Sequence, residues 1–260
     1  AAILDVTAAD RKKIYFVLGH GEISPDDTTD RGLSRLRDEL RQRNFELGAL
    51  DLPRVRAIPD DAALLIVAGQ KGRFQPFEEE LLRTYLQTRA GRLLLMLDQG
   101  RPHGLENLLF DWGVIVYDNL ILDESRDNLT DTGELILSAF LERHPATENL
   151  IRNGLAVLVG PSRVVGDDLG RAPDDGLDVK TIVATSRTAW GESSYRLGNR
   201  SYNPGQDLGG GKHLGVVVFS ERTKPANNLP TTVRGGRLAV FGTAAQAPNH
   251  RHINTGNHTH

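Results

Sequence analysis

Residues 62–98, AALLIVAGQKGRFQPFEEELLRTYLQTRAGRLLLMLD, decide the fold, because they predict a strand, a helix and a second strand in direct succession. Both strands, Ala62 to Ala68 and Arg92 to Leu97, are apolar almost throughout rather than alternating. Continuous apolar strands joined by a helix are typical of a parallel sheet that is covered on both faces. Pro76 stands where the helix begins, and the glutamates of its first turn are favoured there by the helix dipole.

The same pattern extends to both sides of this unit. Before it, Ile14 to Leu18 is an apolar strand, an amphipathic helix runs to about Asn44, and Phe45 to Leu50 is a weaker strand. After it, Gly104 to Phe110 predicts a short helix and Gly113 to Tyr117 a fifth strand. The first 118 residues therefore predict an α/β fold, with a mostly parallel sheet and helices on both faces.

The second half of the chain is less regular. Glu134 to Arg143 predicts a helix, and the loops Gly166 to Gly176 and Gly198 to Gly211 are long for a compact domain. Four more strands are predicted: Leu155 to Val159, Val179 to Ala184, Leu214 to Phe219 and Arg237 to Phe241. Because no linker or internal repeat interrupts the chain, we expect one α/β domain over residues 1–260, with a division near residue 150 as the alternative.

The composition excludes several classes of function. The net charge of the 260 residues is -3 and only 6% are aromatic, so neither a basic field nor stacking platforms favour nucleic acid. The absence of cysteine removes thiol nucleophiles, disulfides and thiolate zinc sites. No apolar run approaches the roughly 18 residues that a membrane span requires.

The candidate ligand site follows the ends of the predicted strands. The turn Gly19-His20-Gly21-Glu22 follows the first strand, Gln70 and Lys71 follow the third, and Asp98 ends the fourth. Carboxyl ends of parallel strands meet at one edge, where sheets of this kind place their ligands. We therefore predict that these seven residues rim a cleft for an unidentified ligand. The alternative is a tight turn in which a local hydrogen bond satisfies His20.

The sequence predicts no catalytic residue. Gln70 and Lys71 occupy the turn where many such sheets carry a nucleophile, and neither is an activated hydroxyl or thiol. Glu192 follows an aromatic residue, but no second carboxylate can be paired with it. Three serines lie near strand ends without an identifiable partner: Ser162, Ser186 and Ser220. A hydrolase or glycan-active enzyme that uses Glu192 or a serine is the alternative.

Metal and cofactor binding are not predicted either. Asp98, Asp123 and Glu124 follow strands, but they lack a recognised metal-ligand spacing. Four histidines crowd the end of the chain, where tails are usually poorly ordered: His250, His252, His258 and His260. We therefore expect no metal site and no cofactor.

Several segments together resemble a known family. They are KIYFVLGHGE at residues 13–22, GLSRLRDELRQRNFEL at 32–47, and LLIVAGQKGRFQPFEEELLRTYLQTRAGRLLLMLDQG at 64–100, followed by TSRTAWGES at 185–193, HLGVVVFSER at 213–222 and GGRLAVFG at 235–242. In this order they resemble the extracytoplasmic domain of ABC-type transport-system auxiliary proteins, which are related to the gliding-motility component GldG. The GHGE turn is the most specific of these motifs.

The resemblance implies a sheet similar to the flavodoxin-like or class I glutamine-amidotransferase-like arrangement, without a catalytic cysteine. It also implies a periplasmic domain, anchored through flanking membrane helices outside this sequence, that works with an ABC permease and ATPase. The sequence departs from the family pattern at two turns, where Thr243 and Ala244 replace Asp-Ser and Ala90 replaces a glycine. The resemblance favours a non-catalytic binding or docking domain, and a purely structural docking module is a further alternative.

Overall fold

The computed structural model describes residues 13–172, 174–224, 235–245 and 247–249. The strands are β1 (Lys13–Leu18), β2 (Glu46–Asp51), β3 (Ala62–Ala68), β4 (Arg92–Met96), β5 (Val114–Val116), β6 (Leu120–Asp123), β7 (Leu135–Leu137), β8 (Val157–Val159), β9 (Val165–Asp167), β10 (Leu177–Ala184), β11 (Ala189–Glu192), β12 (Gly215–Arg222) and β13 (Arg237–Phe241). The α-helices are α1 (Ser34–Gln42), α2 (Pro76–Thr88), α3 (Glu106–Asp111) and α4 (Pro145–Arg152).

A seven-stranded sheet in the order β10-β12-β13-β4-β3-β1-β2 organises the molecule. The five strands from β13 to β2 are parallel to their neighbours, and β12 and β10 continue the sheet as antiparallel strands. The prediction of an α/β fold with a large, mostly parallel sheet is confirmed. Its flavodoxin-like or amidotransferase-like arrangement, with helices on both faces, stays a prediction.

Alternate residues of the central strands enter two separate hydrophobic clusters, because successive side chains of a strand point to opposite faces. Leu65 and Val67 of β3 share one cluster with Leu82 and Leu86 of α2. Ile66, between them in the chain, belongs to the other cluster. Leu36 and Leu40 of α1 pack against that second cluster, which also contains Ile14 and Phe16 of β1. Both faces of these strands are therefore buried, which explains their continuous apolar sequence.

Two predictions for the middle of the chain are wrong. The fifth strand, β5, is not in the main sheet but pairs antiparallel with β9, because β13 occupies the edge of β4. Glu134 to Arg143 is not a helix, since Leu135–Leu137 form β7, which pairs antiparallel with β8. Leu135 and Leu137 are buried and Ile136 is less so, which is the period of a strand. The helix, α4, begins later, at Pro145.

The second half adds three small sheets to the large one. The pairs β5–β9, β6–β11 and β7–β8 are each antiparallel and two-stranded. A third hydrophobic cluster combines Ile121, Leu137 and Ala189 of these strands with Val216 of β12 in the large sheet. Within the described ranges, no helix is both long enough and apolar enough to cross a lipid bilayer.

Candidate functional site

The turn after β1 depends on its two glycines. Gly19 and Gly21 both have positive φ, at 123° and 76°, and residues other than glycine rarely adopt such angles. A Cβ at Gly19 would also lie 2.3 Å from Cδ of Pro53, which is closer than packed atoms approach. The sequence G-H-G therefore fixes the backbone so that the side chain of His20 turns inward, and its ring is only 7% exposed.

His20 lies between two glutamates. Its Nδ1 is 3.1 Å from Oε1 of Glu22, and its Nε2 is 3.0 Å from Oε2 of Glu78 on α2. The backbone N–H of His20 also donates to Oε2 of Glu22, at 2.7 Å. A ring with one proton can donate to only one of these carboxylates, whereas the doubly protonated ring satisfies both. The ring also stacks on Phe74, with centroids 4.1 Å apart.

Glu78 connects this turn to the start of α2. Its side chain is fully buried, and Oε2 accepts the backbone N–H of Gln75 at 2.6 Å as part of a capping box. Its other oxygen, Oε1, has no hydrogen-bond partner among the described residues. Oε2 of Glu78 thus caps α2 and contacts the ring of His20, whereas Oε1 of the same carboxylate makes no hydrogen bond to a described residue. We name the pair of contacts from His20 to Glu22 and Glu78 the histidine clamp.

Gln70 and Lys71 lie beside the clamp, as the sequence predicts from their strand ends. The backbone N–H of Lys71 and that of Gly72 both donate to the carbonyl of His20, each at 2.8 Å. The side chain of Lys71 is exposed, with its Cβ 3.2 Å from the Cβ position of Gly21. Gln70 is completely buried, and neither atom of its amide has a partner within the described ranges.

Asp98 lies one strand further along the same edge and makes different contacts. Its Oδ1 accepts the backbone N–H of Ala244 at 2.7 Å and is 3.5 Å from the Thr243 hydroxyl. Ala244 in turn lies 3.2 Å from the Cβ position of Gly69, at the end of β3. The structure therefore brings Gly19 to Glu22, Gln70 and Lys71 together, and it directs Asp98 towards the end of β13.

Arg163 is an edge residue that sequence reasoning missed. It is 3% exposed, and its guanidinium donates to the carbonyls of Tyr117, Asp98 and Arg101 at 2.7, 3.2 and 3.3 Å. Burial lowers the pKa of this guanidinium, partly offset by the charge of Asp118. All three carbonyls are in loops, so no sequence period could have marked Arg163 as their partner.

Asn249 was missed for the same reason. Its Oδ1 accepts the backbone N–H of Arg35 at 2.8 Å, and its Nδ2 lies near three oxygens of residues 27–34. These contacts join the far end of the described chain to the start of α1, more than 210 positions away in the sequence. Arg163 and Asn249 have in common that each is a buried polar residue in a loop, and this burial is known only from the folded structure.

The residues of the enzyme alternative have other partners. Both oxygens of Glu192 accept hydrogen bonds, from Trp190, Ser194 and Asn199. Ser162 and Ser220 donate to backbone carbonyls, those of Arg163 and Trp112. In the described part of the chain, each of these polar groups is therefore held by its surroundings.

Ser186 donates instead to the carboxylate of Asp123. The nearby His213 contacts the carbonyl of Thr185 and the side chain of Arg187, at 2.6 and 3.3 Å. Within the described ranges no serine forms a hydrogen bond with a histidine, so an acid–histidine–serine chain is not assembled there.

The candidate metal residues are also separate. Asp98 and Asp123 accept hydrogen bonds from different segments, and no group of three histidine or acidic side chains suited to a metal is found in the described ranges. The four terminal histidines, His250, His252, His258 and His260, lie outside the described residues.

The seven-stranded sheet and its helices define a mixed α/β domain. Comparison of the sequence with known families identifies the family to which this domain belongs. The chain belongs to the family described as ABC-type uncharacterized transport system, which it matches over residues 11–249. This membership makes it an auxiliary component of an ABC-type transport system. No curated protein matches the sequence.

Two solved structures are similar to the fold. The mmIFT52 N-terminal domain aligns with a TM-score of 0.59 and 18% identity, over 91% of this chain and 88% of that one. A putative ThuA-like protein from Bacteroides uniformis aligns with a TM-score of 0.44 and 10% identity, over 92% and 84%. The first similarity shows a shared fold.

Proposed function

We propose that this protein is a non-catalytic, extracytoplasmic binding domain that acts with the permease and ATPase of an ABC-type transport system. The observation that carries the proposal is the family match over residues 11–249, which covers every helix and strand of the described chain. The held positions of Glu192 and the serines support a role without catalysis. A link to gliding motility is a narrower form of the same proposal, supported by the resemblance of the GHGE segment.

The carboxyl edge of the sheet is the binding surface in this proposal. The histidine clamp and the two hydrogen bonds to the carbonyl of His20 fix two loops against each other. Lys71 extends from this fixed backbone into solvent. A fixed backbone that presents one exposed charge favours docking, because little conformational entropy is lost when a partner binds.

Co-purification tests the partner and the surface together. The protein is expressed with the permease and ATPase of the transport system, and their recovery is measured for the wild type, Lys71→Glu and Lys224→Glu. Lys224 is an exposed lysine just after β12, at the opposite edge of the sheet, and serves as the matched control. We expect wild type and Lys224→Glu to recover both subunits and Lys71→Glu to recover several-fold less. Equal recovery for both variants would contradict the edge as the docking surface, and no recovery by wild type would contradict the transport role.

The cysteine-free sequence allows a direct test of location. A single cysteine at the exposed position, Lys71→Cys, is treated in spheroplasts with a maleimide that does not cross membranes. An extracytoplasmic domain is labelled without lysis. Labelling that requires lysis would contradict the proposed location while leaving the transport partnership open to the first test.

A further inference from the structure

A pocket of about 460 Å³ lies in the second half of the molecule, apart from the histidine clamp. Four separate segments line this open pocket: β6, the segment from Leu129 to Leu135, the Gly160-Pro161 turn, and β11 with the loop after it. Gln99, next to Asp98, completes the wall. This volume falls within the roughly 300–1,000 Å³ of pockets that bind small molecules.

The walls of the pocket are mainly apolar. The apolar lining consists of Leu120, Ile121, Leu122, Leu129, Leu135, Pro161 and Trp190. Trp190 lies opposite Leu122 on the paired strand, and its indole N–H donates to the buried Glu192 at 3.3 Å. The indole is therefore held in one position and presents a fixed apolar surface to the pocket.

The two charged residues of the lining are not equivalent. The carboxylate of Asp123 accepts from the backbone N–H of Ser125 and from the side chains of Asn128, Ser186 and Thr188. Each of its oxygens therefore receives two donors, which fills its capacity. A cation or hydroxyl donor on a ligand would have to displace one of them.

Arg200 is the opposite case. Its side chain is exposed at the pocket, and its guanidinium has no hydrogen-bond or ion-pair partner among the described residues. A guanidinium offers five N–H donors in a plane that matches a carboxylate. The pocket thus combines an apolar lining with one carboxylate, Asp123, whose hydrogen bonds are all made, and one guanidinium, Arg200, that is available to a ligand.

From this arrangement we propose that the pocket binds a small organic anion with an apolar body, such as a medium-chain monocarboxylate. The chain lies against Trp190 and the leucines, and the carboxylate pairs with Arg200. The proposal goes beyond the transport role and does not depend on the carboxyl edge of the sheet.

Octanoate is the probe for this pocket, and its binding is measured by calorimetry and by tryptophan fluorescence. The chain has two tryptophans. Trp112 is fully buried in the hydrophobic cluster that contains Leu65 and Val67, so Trp190 reports on the pocket. We expect saturable octanoate binding that changes the fluorescence of wild type. In Trp190→Phe the fluorescence change is expected to disappear.

Two variants separate charge from volume. Arg200→Gln is expected to weaken octanoate roughly fivefold, as for an exposed ion pair, and to leave 1-octanol unaffected. The matched control, Arg35→Gln, removes an exposed arginine from α1 and is expected to bind like wild type. Leu129→Trp fills the pocket and is expected to abolish binding while circular dichroism shows the folded state.

Three results would overturn the proposal. They are no saturable binding of octanoate, equal affinities of Arg200→Gln and Arg35→Gln, or undiminished binding by folded Leu129→Trp. Vesicles containing phosphatidylglycerol distinguish a free anion from a lipid headgroup. Binding to such vesicles without binding to octanoate would also contradict the proposal, because the ligand would then be a membrane surface.

Discussion

Two glutamates, one in each half of the molecule, are completely buried and yet differ in their surroundings. Both oxygens of Glu192 accept hydrogen bonds, from the indole of Trp190, the backbone of Ser194 and the amide of Asn199. Glu78 receives the backbone of Gln75 and the ring of His20 on one oxygen, and its other oxygen has no partner in the described part of the chain.

The different partners of Glu192 and Glu78 indicate different roles for the two buried carboxylates. Uncharged donors satisfy Glu192 and fix the loop after β11, so its environment is typical of a structural network. Glu78 instead receives the ring of His20 from another segment, so the start of α2 is coupled to a turn 58 positions earlier. Each of the following variants tests whether that distinction has energetic consequences.

The largest effect is expected for Glu192→Ala. It leaves three donors without an acceptor in a buried site, so the free energy of unfolding should fall by about 3 kcal/mol. Chemical denaturation monitored by circular dichroism measures this change. Glu192→Gln is the control and should cost less than Glu192→Ala, because one amide oxygen still accepts. A loss below about 1 kcal/mol for Glu192→Ala would show that the network is not structural.

The next effect is expected for His20→Ala, with a loss of about 2 kcal/mol. Removing the ring leaves Glu22 and Glu78 facing each other without the group between them. Hydrogen exchange should accelerate in the turn after β1 and at the start of α2. The double variant His20→Ala with Glu78→Gln should recover part of the loss, since one negative charge is gone. Additive losses in the double variant would argue against coupling through the clamp.

A second buried histidine, His103, extends the comparison to a neutral ring. Burial lowers the pKa of His103, and its Nδ1 accepts the backbone N–H of Leu105 at 3.0 Å. As the pH falls from 7.5 to 5.5, the unfolded chain takes up a proton at this residue before the folded chain does. The contribution of His103 to the free energy of unfolding therefore decreases, by at most about 1.4 kcal/mol per pH unit.

The measurement for His103 is the difference between wild type and His103→Asn in denaturation at both pH values. The asparagine keeps an acceptor for Leu105 but does not titrate. Wild type should lose more stability than the variant on acidification. A variant that follows wild type across this range would contradict the role of His103.

The smallest effect is expected for Glu78→Gln, below about 1 kcal/mol and smaller than the loss in Glu192→Gln. The amide oxygen can still cap α2 and receive His20, and the amide N–H₂ replaces the oxygen that has no recorded partner. Paired denaturation curves of the two glutamine variants measure the contrast. Equal or reversed losses would remove the distinction between the two buried glutamates.

Local sequence patterns predicted much of the first half, because its elements are long and strongly periodic. The strand–helix–strand unit from Ala62 to Met96 lies where the apolar runs and Pro76 placed it. The GHGE turn and Lys71 were also predicted to be neighbours, from the rule that parallel strands end at one edge. In the second half, Leu135–Leu137 is too short for its period to be distinguished from a helix, and its pairing with β8 decided the structure.

By itself, the sequence determined the alternation of strands and helices, the apolar character of the central strands and the glycines that the first turn requires. These features depend on residues close together in the chain, where propensity and backbone sterics act directly. Only the tertiary structure decided that β13 pairs with β4 and that His20 contacts Glu78. It also decided that the carboxylate of Asp123 is fully hydrogen-bonded while the guanidinium of Arg200 at the same pocket has no partner among the described residues. Those outcomes depend on contacts between distant segments, whose energies exist only once the chain has brought them together.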